Sequence, residues 1–71
     1  MSGLAWMARL KEFADSRVLT FDQMTRLAAT RSGRRARKAF ADGASWNVVH
    51  QWLSKAATEL KTVRRLRRAA R

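Results

Sequence analysis

The sequence predicts an all-α protein, a compact bundle of four helices with a long basic C-terminal helix, and three observations carry that expectation. Proline is absent, and 13 of the 33 hydrophobic residues are alanine, a composition that favours helix while adding little core volume. No run alternates apolar and polar residues between turn signals, so strands have no support. Apolar residues instead recur three and four positions apart, between small capping residues and glycines.

The first helix is expected over residues 2–14, with Ser2 as its cap. Leu4, Met7, Leu10 and Ala14 form its stripe, Trp6 and Phe13 widen it, and Arg9, Glu12 and Asp15 lie mostly opposite. The second helix, residues 20–31, opens on the clearest local signal in the chain. In Thr20-Phe21-Asp22-Gln23 the threonine caps and Gln23 returns a bond to its amide, with Leu19 and Met24 placed for a hydrophobic staple. Phe21, Met24, Leu27 and Ala28 then share one face, and Ser32-Gly33 is expected to end the helix, since glycine adopts the left-handed conformation cheaply.

A short third helix follows over residues 34–42, with Ala36, Ala39 and Phe40 on its apolar side and Gly43 as its stop. Ser45 is expected to cap the last helix, residues 45–69. Its stripe is Trp46, Val49, Leu53, Ala56, Leu60 and Val63, extended by Leu66 and broadened by Val48 and Trp52. About 25 helical residues measure roughly 37 Å. The last turns should therefore project beyond the packed body or lie over it. All of this fits one helical domain over residues 1–71, too small to enclose a deep active site.

Composition narrows the function further. There is no cysteine and one histidine, His50, which excludes a disulfide framework, a thiolate zinc site and a multi-histidine metal cage. Ser45 and His50 stand five apart on one expected helix and do not face each other as nucleophile and base. No enzymatic activity, cofactor or metal is expected. The longest uncharged run, residues 43–54, is 12 residues, short of the roughly 20 that cross a bilayer. Arg9, Lys11 and Glu12 interrupt the apolar start, so any export is expected to proceed without a signal peptide.

Charge is the strongest signal. Residues 1–30 carry four bases and three acids, for a net of +1; residues 31–71 carry twelve bases and two acids, for a net of +10. A half so basic is drawn to polyanions, namely anionic lipid, DNA or RNA. Two clusters dominate: Arg34, Arg35, Arg37 and Lys38 at the start of the third helix, and Arg64, Arg65, Arg67, Arg68 and Arg71 at the end of the chain, approached by Lys55 and Lys61. Cations at a helix start oppose its dipole by about 0.3–1 kcal/mol each, so the first cluster points to an anionic partner. Three tryptophans add a second signal, because an apolar ring with one N–H suits the headgroup level of a bilayer. Trp46 and Trp52 lie about 120° apart around the helix, so both cannot centre one narrow seam. Trp46 continues the main stripe, Trp52 is expected near water, and Trp6 is expected on the shoulder of the first helix.

The segment Asp42-Gly43-Ala44-Ser45-Trp46-Asn47-Val48-Val49-His50-Gln51-Trp52-Leu53 resembles a stretch of the leaderless bacteriocins of the aureocin and lacticin Q type. There, too, a short third helix ends in glycine and the final helix opens on a Trp/Val-rich turn. The start, Met1-Ser2-Gly3-Leu4-Ala5-Trp6, also resembles that family's opening. The resemblance implies a saposin-like bundle of four helices, secreted without a signal peptide, that permeabilises target bacterial membranes without a protein receptor. It places Trp46, Val49, Trp52 and Lys55 in the family's Trp- and Lys-bearing final helix.

Two functional expectations follow. In the first, the protein is a cationic antimicrobial: its basic surface gathers it, as a monomer, at anionic lipid, Trp52 and its neighbours enter the interface, and the bundle opens. In the second, it is a small basic nucleic-acid-binding protein. The third and fourth helices, turning at Gly43-Ala44, can be read as a helix-turn-helix. The fourth helix opens on Trp46-Asn47-Val48-Val49, which has few side chains able to read base edges. The second expectation is therefore of nonspecific phosphate binding through both arginine clusters.

Overall fold

The computed structural model describes residues 3–69, except the side chains of residues 63–65 and 67–69. It consists of four helices: α1 (Gly3–Ser16), α2 (Phe21–Ala29), α3 (Arg31–Ala41) and α4 (Trp46–Ala69). Together they make an all-α bundle, as expected. Ser2, assigned as the first cap, lies outside the described residues.

The buried face of α1 is Trp6, Leu10, Phe13 and Ala14, an i, i+4, i+7, i+8 stripe. This rotates the helix from the expected stripe: Leu4 is 81% exposed and Met7 43%, while Trp6, expected on the shoulder, is 5% exposed. The larger rings win the interior because burying them removes more apolar surface from water than burying Leu4 or Met7 would. Trp6 meets Phe40 of α3 with ring centroids 5.6 Å apart.

Helix α1 runs two residues past its expected end. It closes in a Schellman motif, with Leu19 N–H donating to the Ala14 carbonyl at 2.9 Å and Val18 N–H to that of Asp15 at 3.2 Å. The left-handed position in that motif is held by Val18, at φ 56°. A β-branched residue there carries strain and gives no stop signal in the sequence. The same motif ends α3, where Ala44 N–H reaches the Ala39 carbonyl at 3.0 Å and Gly43 takes φ 85°, as its residue type predicts.

Thr20 caps α2 in the expected box: Gln23 N–H donates to Thr20 Oγ1 at 3.1 Å, and Thr20 N–H donates to Gln23 Oε1 at 2.9 Å. Met24 and Leu27 are buried, but Phe21, expected beside them, is 73% exposed. As the first residue of α2 it precedes the point where the helix meets the core.

The α2–α3 junction differs most from expectation. Ser32-Gly33 does not end α2. That helix stops at Ala29, and Thr30 alone separates it from α3. The Thr30 hydroxyl donates to the Leu27 carbonyl at 2.7 Å and accepts the Gly33 N–H at 3.0 Å, so one side chain closes α2 and opens α3. Gly33 sits buried inside α3. A Cβ there would run into the Leu27 carbonyl oxygen, with that of Ala28 only 2.9 Å away. Close approach, not a left-handed turn, is why this position is glycine.

Helix α3 presents Ser32, Gly33 and Ala36 inward, with Ala39 and Phe40 half-buried. Small side chains let its backbone come close to α4, which contributes Val49, Leu53 and Ala56 to the core. Ser45 precedes α4 and accepts from Val48 and Val49 N–H through its carbonyl; among the described residues its side chain makes no capping bond. The core ends near Leu60. Beyond it Lys61, Thr62 and Leu66 are exposed, Leu66 by 65%, so the expected extension of the stripe to Leu66 fails and the last turns project. At about 36 Å, α4 sets the 42 Å long axis of a molecule 19 by 17 Å in section. Val63, expected in the stripe, has no described side chain.

Two outcomes test this account. Gly33→Ala should lower stability by about 1–3 kcal/mol by overpacking, despite the better helix propensity of alanine, and so depress Tm by roughly 4–8 °C per kcal/mol. Val18→Gly should raise stability by about 0.5–1 kcal/mol, the relief of left-handed strain exceeding the added unfolded-state freedom. Urea and thermal unfolding followed by circular dichroism measure both; an unchanged midpoint for Gly33→Ala contradicts the close packing at the corner.

Candidate functional site

The inward face of α3 uses up its small residues, which leaves Arg31, Arg34, Arg35, Arg37 and Lys38 exposed on the rest of its first two turns. Among the described residues, Lys38 alone of these forms an ion pair, with Asp42 at 3.4 Å. Both partners are largely exposed, so the pair is worth little. The other two ion pairs, Arg9–Glu12 and Arg26–Asp22, lie within α1 and α2. Four guanidinium groups at the start of α3 are thus free to meet an outside anion.

The helix end that carries them is held by α4. Ser32, 2% exposed, donates its hydroxyl to Glu59 Oε1 at 2.5 Å, and its N–H to Oε2 at 3.4 Å. A carboxylate on the first turn of a helix answers its free N–H groups and its dipole. This bond fixes α3 against α4 and holds an acid among the cations.

Beside it lies a recess of about 370 Å³ lined by Arg31, Ser32, Arg35, Trp52, Lys55 and Glu59. Trp52, expected near water, is half-buried at this rim, with the Arg35 guanidinium and the Lys55 ammonium each 5.4 Å from the ring centroid. Such cation–π contacts contribute about 0.5–1 kcal/mol at an exposed site. Trp46 is half-buried and engaged differently, under the Arg9 guanidinium at 5.1 Å and edge-on to His50 at 6.0 Å. The His50 ring is exposed and also meets Phe13 edge-on at 5.3 Å.

The sequence-predicted residues are therefore only partly brought together. Arg35, Lys55 and Trp52 converge; Arg34, Arg37 and Lys38 continue the same helix; Lys61 is exposed further along α4. Trp6 is removed from the site by its burial. The side chains of Arg64, Arg65, Arg67 and Arg68, and all of Arg71, lie outside the described residues. Arg31 and Glu59 were missed. Reading Thr30 as a cap would have placed Arg31 in the first turn of the cationic helix.

A second exposed feature was also missed. Leu4, Met7 and Phe21 border two open apolar grooves between α1 and α2, of about 420 and 430 Å³, the latter reaching Arg37. Among the described residues no helix is long and apolar enough to cross a membrane, and no group of three acids, cysteines or histidines could hold a metal ion. The chain matches no protein-family model, no curated protein and no solved structure.

Removing the acid tests the anchoring of the site. Glu59→Ala leaves the buried Ser32 hydroxyl and its N–H without their acceptor and should cost about 1–3 kcal/mol of stability. Glu59→Gln, which keeps an acceptor oxygen, should recover part of that loss. Equal unfolding midpoints for wild type and Glu59→Ala would show that the bond contributes nothing.

Proposed function

We propose that the protein binds the phosphate backbone of nucleic acid through α3 and the adjoining face of α4, without reading sequence. The single observation that carries this reading is the row of exposed arginines at Arg31, Arg34 and Arg35, unpaired among the described residues, on a helix packed against α2 and α4; Arg37 lies on the other flank, toward α1 and α2. Guanidinium groups pair with phosphate oxygens in bidentate fashion and stay charged at any physiological pH. Such contacts position a protein on a polymer; they do not select a base. Arg31 belongs to this row although it precedes the expected helix start. The contact helix is thus α3, where the helix-turn-helix reading put α4 in that role.

A second reading, an anionic bacterial membrane permeabilised by a secreted antimicrobial, keeps support from a different feature than the one that suggested it. Trp6 is buried and Trp46 half-buried, but the exposed Leu4, Met7 and Phe21 form an apolar patch that lipid could take up. Cations within reach of headgroups would add about 1 kcal/mol each.

Titration of duplex DNA over a range of salt decides between them. With about three phosphates neutralised, log affinity should fall against log salt with a slope of about −2.7, and Arg34→Ala or Arg35→Ala should each reduce that slope by about 1. A slope near zero overturns the nucleic-acid reading. Leakage of dye from anionic vesicles that Phe21→Asp abolishes, in a protein with no affinity for DNA, establishes the membrane reading in its place.

A further inference from the structure

Resting on the nucleic-acid reading, we infer that Trp52 is a stacking platform for an unpaired base, with Arg35 and Lys55 as its phosphate clamps, so that this face prefers single strands to duplex. Among the three tryptophans, Trp52 alone lines the recess between α3 and α4. Trp6 packs in the core and Trp46 is engaged by Arg9 and His50. Trp52 packs against the core on one side, and what meets its ring in the recess, Arg35 and Lys55 at 5.4 Å, are the far ends of two long flexible side chains. Those ends can swing from ring to phosphate without disturbing the fold, and each exchanges a weak contact for a charge-assisted one.

Glu59 sharpens the inference. Its carboxylate is bound to Ser32 inside the recess, so a bare phosphate entering there meets a like charge. A neutral base does not. The recess therefore sorts the two parts of a nucleotide: ring inward on the indole, phosphates outward on the cations of the rim. In a duplex the bases are already stacked and paired, and the indole can reach them only by breaking that stack. Single strands offer the ring at no such cost, and an aromatic platform tolerates any base because every base has a π-face.

Three ligands of equal length separate charge from stacking: oligothymidylate, the same strand lacking its bases, and a duplex. Binding is read by anisotropy and by tryptophan emission. Oligothymidylate should quench emission and bind about tenfold more tightly than the abasic strand, a preference that Trp52→Leu removes. Trp52→Phe should keep part of the preference, and Trp46→Phe should keep the quench; circular dichroism confirms that each variant is folded. Salt-dependent binding with equal affinity for the base-bearing and abasic strands overturns the platform alone. Failure to bind any of the three overturns the nucleic-acid reading, and the platform with it.

Discussion

Thr30 holds the ends of two helices with one hydroxyl, and the rest of the architecture depends on that economy. Because the hydroxyl bonds to Leu27 behind it and Gly33 ahead of it, no loop separates α2 from α3. The corner is so tight that position 33 has no room for a methyl group. Glu59 then ties the same corner to α4 through Ser32. Three helices thus meet within a few residues, and they meet through hydrogen bonds and small side chains, not bulk. The large apolar residues of α1 complete the core, with Trp6 against Phe40 and Phe13 against His50.

That division of labour explains why the protein is so cationic on the surface of α3. A helix that packs through serine, glycine and alanine needs only a narrow strip of its circumference for stability. The rest is free for charge, and here it is almost wholly arginine and lysine. The arrangement works against the helix dipole and against neighbouring like charges, a cost that grows as salt is removed. Such a surface is costly to keep bare and gains from any partner that neutralises it, which is the physical content of the proposed function.

Much of this was legible in the sequence, and the exceptions share a cause. Four helices, the Thr20–Gln23 box, the Gly43 stop and the Val49–Leu53–Ala56 seam all follow from local chemistry, and local chemistry decided them. What escaped was decided by tertiary contact. Gly33 looks like a terminator until Leu27 is known to lie against it. Trp6 and Leu4 compete for the same interior, and nothing in their spacing says which rotates inward. Val18 occupies a left-handed position without being a residue that advertises one. Of the site, the charge of α3 was readable; the equal half-burial of Trp46 and Trp52, and the carboxylate from 27 residues away that joins Ser32, were not.

The overhang of α4 beyond the core has an electrostatic consequence. From Lys61 to Ala69 the helix extends about 12 Å past the last packed turn. The Debye length at physiological salt is about 8 Å. The negative pole of the α4 dipole, at Ala69, therefore lies more than one screening length from the last packed turn, and the bundle does not feel it.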